Sequence, residues 1–587
     1  MARKNRRKSA TTSHLHEESS NPKQAPSGTD EMAREGESDC QEEKKQEQDQ
    51  KKKGESSCYE KEPEAPSAED NSSEVDDYAD DEDGPGAGQC GAYSMKKLPG
   101  EVPEAGVRER DQVEGCLLLQ ADTVSLVGLT KFLVFGSSAG AVVKMGARSL
   151  GEQGSDVSDI GPKHRLVIFL SILFRWIICF FKKPMELFGL LLVSFLNRGN
   201  LSCFVGNLLT GRIAVPERDS EKYLSVVGYL DRRIELHKFY TESNREEIRK
   251  PGELPLQMEG EVMMDLCIMA SKIVYENANV VQSIVNQNWK MHFVEFYDFW
   301  NEYRKESSTQ AFIMCDKRKD ADLILLSFRG AKTFDAYDLC IGLDYSWCHV
   351  PGMGKVHVGF LEALGVGTRD EISSILSSLR GPNPNSVKDK KVAYYTLRNK
   401  LRDLLAVHPK ATFVVTGHGV GGALAALFPA LLLFNEEEDL INRWSAVCTF
   451  GQPRIGDEQL RMFMQPHVHK YFRVVYGDDI MPKLPYDEGV FLYKHFCVCL
   501  YYNSFFFEKI VKEEPCWSSF ALWDLVSRLL NPTWELIRGL LMGRMCGGEY
   551  QETLLMIMCR ILGLIEPSVS AHMPTNYINC ARIAWRA

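Results

Sequence analysis

Residues 411–421 combine an apolar run with closely spaced glycines, a pattern that can position a catalytic nucleophile. Ala411–Thr416 has the composition of a buried strand, and Gly417, Gly419 and Gly421 follow it before a segment rich in Ala and Leu. A strand, a sharp glycine-lined turn and a helix of small residues form the nucleophile elbow, whose pattern is Gly-x-Ser-x-Gly. Gly419 holds the central position of the turn, so no side chain is present there to attack a carbonyl.

The same glycines invite comparison with a phosphate-binding turn. That turn needs the spacing Gly-x-Gly-x-x-Gly early in a βαβ unit, with an acidic residue about 20 positions later. Here the turn lies deep in the chain, and the next predicted strand, Ala446–Phe450, leads into Gly-Gln-Pro-Arg at 451–454. The glycines therefore match a nucleotide site poorly.

Predicted strands and helices alternate from residue 221 onward, as a sheet that positions an elbow requires. The predicted strands are Ala311–Cys315, Ala321–Phe328, Ala411–Thr416, Ala446–Phe450, Phe472–Tyr476 and Phe491–Tyr502. The predicted helices are Asp265–Tyr275, Leu397–Val407 and Gly421–Phe434, and residues 503–570, rich in Leu, Met, Trp and Phe, are predicted to be helical. Strands that alternate with helices imply a mostly parallel sheet covered by helices.

Ordered motifs continue on both sides of the elbow. They are DLCIMASKIVYE at 265–276, DADLILLSFRG at 320–330, KVHVGFLEAL at 355–364, FGQPRIGD at 450–457, DIMPKLP at 479–485 and HMPTNYINCARI at 572–583. On these motifs, residues 114–587 resemble the plant oil-body members of the class 3 (fungal-type) triacylglycerol lipase family. The resemblance implies an α/β-hydrolase fold and hydrolysis of acylglycerol esters through a Ser acyl-enzyme, with no metal or organic cofactor.

The resemblance also implies a Ser-Asp-His triad in that chain order. Gly419 occupies the nucleophile position, Asp479 is the expected acid and His572 is the expected base. Asp478 and His495 are the alternatives for the acid and the base. Such a base needs one ring nitrogen towards the nucleophile and the other held by a carboxylate. Asp479 and His572 are therefore expected to pair with no nucleophile to activate.

The oxyanion position that the resemblance implies follows the Arg-Gly pair at 329–330. The family usually has Thr or Ser there, whereas this chain has Ala331, which leaves only the backbone N–H. The backbone N–H of Val420 is the second expected donor, and His418 and His357 are expected to be structural. Loss of a nucleophile costs about 10⁶ in rate, and loss of an oxyanion donor about 10²–10³. We therefore expect a folded pseudolipase that binds acyl lipid or a partner; the alternative is a working triacylglycerol lipase.

Two apolar segments precede the predicted sheet. Leu166–Phe181 is apolar over 16 residues apart from Ser171 and Arg175, and Leu187–Leu196 follows a Lys-Lys-Pro break. Each segment is shorter than the roughly 20 residues that a helix needs to cross a bilayer. The pattern favours two helices lying in a lipid surface, and a pair of core helices is the alternative. Region 114–220 is predicted to associate with lipid droplets or the endoplasmic reticulum membrane, as the resemblance implies.

The net charge of −11 is confined to residues 1–113, which hold 17 basic and 28 acidic side chains. Residues 114–587 carry 52 charges of each sign, which excludes a basic nucleic-acid-binding domain. Residues 1–113 contain no Ile, Phe or Trp, and we expect them to form a disordered acidic tail. No signal-peptide pattern follows Met1 and no Cys-x-x-Cys pair occurs, so an intracellular protein is expected. The lipase-like domain is predicted to span 221–587.

Overall fold

The computed structural model describes residues 115–136, 139–145, 161–198, 217, 219–237, 256–370, 375, 379, 391–485, 493–511 and 522–586. They belong to a unit that spans Gly106–Ala587. The predicted acidic tail, residues 1–113, lies outside the described residues.

The strands form a large sheet and a small one. They are β1 (Cys116–Leu119), β2 (Val143–Met145), β3 (His292–Asn301), β4 (Glu306–Cys315), β5 (Leu323–Phe328), β6 (Trp347–Val350), β7 (Gly354–His357), β8 (Thr412–His418), β9 (Trp444–Phe450), β10 (Tyr471–Tyr476), β11 (Val498–Tyr502), β12 (Phe507–Val511) and β13 (Trp585–Arg586). The large sheet has nine strands in the order β13-β12-β11-β10-β9-β8-β5-β4-β3.

The helices cover this sheet. They are α1 (Leu126–Phe135), α2 (Ala139–Val142), α3 (Pro162–Phe180), α4 (Lys182–Arg198), α5 (Val226–Leu230), α6 (Leu256–Ile273), α7 (Ala278–Ser283), α8 (Ala336–Cys340), α9 (Val358–Ala363), α10 (Ala393–Val407), α11 (Val420–Phe434), α12 (Glu438–Ile441), α13 (Glu458–Met464), α14 (Leu522–Met545), α15 (Leu554–Gly563), α16 (Pro567–Ala571) and α17 (Pro574–Ile583).

The centre of the large sheet is parallel and its edges are mixed. Strands β5, β8, β9, β10 and β11 run parallel, whereas β3, β4 and β5 pair antiparallel and β11 pairs antiparallel with β12. The predicted mostly parallel sheet, covered by helices, is confirmed for the part that holds the elbow. The antiparallel edges follow from short connections, since a turn of a few residues can join only antiparallel neighbours.

Strand β8 lies between two apolar cores. Phe413 and Val415 pack into the core that includes α11, and Val414 packs into the core that includes α6. All three side chains are fully buried, which explains why β8 reads as a continuous apolar run rather than an alternating one. The strand that leads into the elbow is thus held rigidly from both faces.

The residues before α3 take part in the small sheet. Its order is β2-β1-β6-β7, and Leu117 of β1 lies opposite Trp347 of β6. The inward side of α3 is fastened to the same region, because the Trp176 indole N–H donates to the Ala121 carbonyl at 2.7 Å. Arg175, which interrupts the first apolar segment, forms an ion pair with Asp122 at 3.2 Å.

The outward side of α3 and α4 is rich in large apolar side chains. Those exposed are Leu166, Leu170, Phe174, Ile177, Phe180, Phe181, Leu187, Phe188 and Phe195, and the exposed charged residues of the two helices are Lys163, Lys183 and Glu186. No single helix among the described residues has the length and apolar character needed to cross a membrane. Pro162–Phe180 and Lys182–Asn197 meet those requirements only as a pair, and this pair is bent by 54°.

Two predicted elements at the C-terminal side of the sheet are wrong in part. Of the strand predicted at Phe491–Tyr502, the described residues 493–502 form a strand only over Val498–Tyr502, and the segment predicted as helical from 503 begins with strand β12. The Asn503 side chain causes the difference, because its oxygen accepts from the N–H groups of Phe505 at 2.9 Å and Phe507 at 3.1 Å. This turn folds β12 back onto β11 instead of starting a helix.

Candidate active site

The elbow is a sharp turn between β8 and α11. Gly419 has φ +56° and ψ −125°, a backbone conformation that is strained for any residue with a side chain. Gly421 brings the turn against β5, since a Cβ on it would lie 2.4 Å from the Phe328 carbonyl oxygen. The glycines predicted to form an elbow therefore do so, and they place Gly419 at the carboxyl edge of the parallel strands.

Asp479 and His572 meet beside the elbow. Asp479 follows β10 and is fully buried, and its Oδ2 lies 2.8 Å from the His572 Nδ1. The carboxylate also accepts the Met481 N–H at 2.8 Å and the Tyr577 hydroxyl. Three donors thus converge on one buried carboxylate, and the His572 ring is held by its Nδ1 atom.

The other ring nitrogen of His572 points at Gly419. A Cβ built on Gly419 would lie 2.9 Å from the His572 Nε2 atom. Nε2 is therefore directed at the place where a side chain at position 419 would begin. The side chain itself is absent because the residue is glycine.

His418 contacts the backbone of His572 and so supports the position of the Asp479–His572 pair. Its Nε2 lies 2.9 Å from the His572 carbonyl oxygen, which can only accept, so Nε2 carries the proton. Its Nδ1 then accepts the Tyr275 hydroxyl at 3.2 Å. Burial, with a smaller contribution from His572, holds the pKa of His418 well below its ordinary value. His418 is consequently a neutral group that fixes the backbone of the His572 loop.

The two predicted oxyanion donors come just after the ends of two neighbouring parallel strands, β5 and β8. Ala331 comes after the end of β5, and Val420 is the first residue of α11. Phe328 and Gly417 lie opposite each other in the register of β5 and β8, so both strands end at the same edge of the sheet. The Val420 N–H belongs to the first turn of a helix, where N–H groups have no partner within the helix.

The alternative acid and base have other surroundings. His495 is buried, and its Nε2 donates to the Pro482 carbonyl oxygen at 2.8 Å. Asp478 precedes Asp479 and is only half-buried, whereas the carboxylate bonded to His572 is that of Asp479.

A cavity of about 70 Å³ opens beside the elbow. Its near end is lined by Gly330, Val420 and Leu424. Its far end contains an ion-pair cluster in which Arg369 bonds to Glu362 and Asp344, each at 2.7 Å.

Two tyrosines were not assigned a role from the sequence. Tyr577 bonds to Asp479 and Tyr275 to His418, and each lies inside a motif that the sequence analysis quoted. Their residue type could have indicated a role, because a buried tyrosine hydroxyl almost always finds a hydrogen-bond partner.

The elbow at the centre of a mixed sheet, with an Asp–His pair supplied by later segments, defines an α/β-hydrolase fold. Comparison with family profiles matches residues 325–489 to Lipase (class 3). The triacylglycerol lipase OBL1 of Nicotiana tabacum is 43% identical over 515 residues, covering 77% of this chain and 89% of that relative. The triacylglycerol lipase OBL1 of Ricinus communis is 39% identical over 450 residues, covering 70% and 85%. The chain belongs to the class 3 lipase family.

Solved fungal lipases align with part of this chain. The Rhizomucor miehei triacylglyceride lipase is 21% identical with a TM-score of 0.30, over 42% of this chain and 82% of that one. Lipase II from Rhizopus niveus is 21% identical with a TM-score of 0.29, over 42% of this chain and 81% of that one.

Proposed function

We propose that this protein is a lipid-associated pseudolipase: it binds acylglycerol beside the elbow and hydrolyses it poorly. One observation carries the proposal. The His572 Nε2 atom faces position 419, and the residue there is glycine. The Asp479–His572 pair is assigned the roles of acid and base, and Gly419 stands where the Ser nucleophile would stand.

The magnitude of the defect supports impaired catalysis. A missing nucleophile costs about 10⁶ in rate, and the residual rate comes from binding and the oxyanion donors. The two donors assigned here are the backbone N–H groups of Ala331 and Val420. The methyl side chain of Ala331 supplies no third donor, and one donor is worth about 10²–10³.

Lipid association is the second part of the proposal. The names of the most similar relatives point to triacylglycerol as the ligand class. The apolar outward side of α3 and α4 supports attachment to a lipid surface, and we assign the protein to lipid droplets or the endoplasmic reticulum membrane. The cavity beside the elbow is the proposed place for the ester end of the acyl chain.

A second candidate, a working lipase, is favoured by the intact pair of Asp479 and His572. Nε2 of a neutral His572 could accept a proton from a water molecule that attacks the ester carbonyl. The proton would then pass to the leaving alkoxide, and the products would be a fatty acid and a partial glyceride. This route leaves no covalent intermediate.

Turnover and binding measured together separate the two candidates. We expect full-length protein to bind a non-hydrolysable glycerol triether and to hydrolyse emulsified triacylglycerol no faster than its His572→Ala variant. Hydrolysis that is well above background and disappears in His572→Ala would support the working lipase instead. Protein that binds neither the triether nor a triacylglycerol emulsion would refute both the ligand class and the lipid association.

A further inference from the structure

Helices α14 and α15 have an apolar outer surface. On α15 and the residues just after it, Leu554 is 78% exposed, Leu562 64% and Ile565 84%. Helix α14 adds exposed Leu530, Ile537, Leu540, Leu541 and Met545. Large apolar side chains scattered singly are normal on a protein surface, but a contiguous set marks an interaction site.

Two charged side chains of the same helices, Arg538 and Arg560, point inward. Arg560, the one charged residue of α15, is buried and pairs with Glu552 at 2.7 Å and Glu535 at 2.9 Å. Arg538 of α14 is also buried and donates to the Tyr476 hydroxyl at 2.8 Å. Helices that face water have the opposite arrangement, with the charged residues outside.

We propose that the outer face of the C-terminal hairpin, meaning α14, α15 and the residues between them, inserts into the phospholipid monolayer of a triacylglycerol droplet. The proposal deepens the proposed function and rests on its lipid association. The exposed Leu, Ile and Met side chains of this face complement acyl chains, whereas the buried ion pairs need no contact with water.

The position of the hairpin agrees with this partner. Met556 of α15 is fully buried in a cluster with Leu192 and Val193 of α4. The hairpin therefore adjoins the helix pair whose outward side is also apolar. Of the described residues on the outer face of α14 and α15, the exposed basic one is Arg544. Attraction to anionic headgroups is thus a minor contribution, and the apolar contact supplies the affinity.

The hairpin is also connected to the candidate active site. The Arg560 guanidinium donates to the Asn576 side-chain oxygen at 2.7 Å. Asn576 precedes Tyr577, whose hydroxyl donates to Asp479. Helix α15 continues through α16 to His572, the C-cap residue of α16. The proposed lipid-binding hairpin is therefore linked, by hydrogen bonds and by the chain itself, to the segment that carries His572.

The test measures binding of full-length protein to triolein droplets coated with phosphatidylcholine. The triple variant Leu554→Gln, Leu562→Gln, Ile565→Gln is expected to bind at least about tenfold more weakly. The matched control is Val407→Gln, Met462→Gln, Ile510→Gln, whose side chains are 69%, 65% and 73% exposed on α10, α13 and β12. The control is expected to bind as the unmodified protein does.

A gain of binding guards against loss by misfolding. Ile565→Trp is expected to bind the droplets more tightly, since Trp favours the boundary between acyl chains and headgroups. Binding of the unmodified protein should change less than about twofold between low and high salt, because apolar contact rather than charge supplies the affinity.

Each other result counts against the inference. Equal binding by both triple variants would overturn it while leaving the proposed function intact, whereas failure of the unmodified protein to bind droplets would overturn both. Weakening only on phosphatidylcholine vesicles, with droplet binding unchanged, would assign the face to bilayers. A protein that is dimeric at micromolar concentration, and becomes monomeric in the hairpin variant with lipid binding unchanged, would show that a second copy covers this face.

Discussion

Gly419→Ser should raise hydrolytic activity and lower stability in the same protein. The structure gives both effects a magnitude. A side chain at φ +56° and ψ −125° costs about 1–3 kcal/mol relative to glycine, so the thermal midpoint of a body of this size should fall by roughly 1–3 °C. The new Cβ would lie 2.9 Å from the His572 Nε2, closer than ordinary contact, so the imidazole must withdraw by a few tenths of an ångström.

The gain in rate follows from the nucleophile. A triad nucleophile is worth about 10⁶, and the missing hydroxyl at Ala331 cancels from the comparison because both proteins lack it. We therefore expect Gly419→Ser to hydrolyse triacylglycerol up to about 10⁶-fold faster than the unmodified protein. The assay is the initial rate of fatty-acid release from an emulsion, together with covalent labelling by a fluorophosphonate, which reacts with an activated serine.

Gly419→Ala is the matched control, because it introduces the same Cβ and the same backbone strain without the hydroxyl. It should lose the same stability and gain neither activity nor label. A folded Gly419→Ser protein that is inactive and unlabelled would refute the assignment of Asp479 and His572. Equal activity in Gly419→Ala would refute the nucleophile argument itself.

Three further predictions follow from named contacts. In the Gly419→Ser background, Ala331→Thr should add about 10²–10³ in kcat, and an unchanged kcat would contradict its place in the oxyanion hole. In the same background, Tyr577→Phe should lower the rate of hydrolysis about tenfold or more, because Asp479 loses a hydrogen-bond donor. A variant that loses stability to denaturant but keeps its rate of hydrolysis would indicate a purely structural role. Burial lowers the pKa of His357 to about 4. As the pH falls from about 6.5 to about 4, this histidine therefore takes up a proton in the unfolded chain but not in the folded protein. The free energy of unfolding should fall by about 3 kcal/mol across that range. Denaturant midpoints measured against pH should lose this dependence in His357→Gln and keep it in His469→Gln, which changes an exposed histidine.

Local patterns allowed the elbow to be predicted closely. The predicted strand Ala411–Thr416 and helix Gly421–Phe434 compare with Thr412–His418 and Val420–Phe434 in the structure. Both elements are defined by neighbouring residues, namely a fully buried apolar run and glycines that a sharp turn requires.

Contacts between distant segments could not be derived from composition. Asp479 and His572 are 93 residues apart, and the family resemblance rather than their spacing suggested the pair. The pairing of β1 with β6 joins residues more than 200 positions apart, and no local pattern predicts which edge a short apolar strand will join. The inward charges of α14 and α15 were missed for the same reason, since their partners come from several elements.

The hydrogen bonds and the ion pair that hold α3 and α4 against the hydrolase body limit the orientations that the protein could take on a lipid surface. Polar bonds hold both helices, at Trp176 and Arg175 on α3 and at Asn197 on α4, which donates to the Leu224 carbonyl at 2.9 Å. Helices held in this way cannot act as a flexible tether that lets the hydrolase body change its orientation above a droplet. Any surface that their outer side chains enter sets the tilt of the body and the height of the elbow above the lipid.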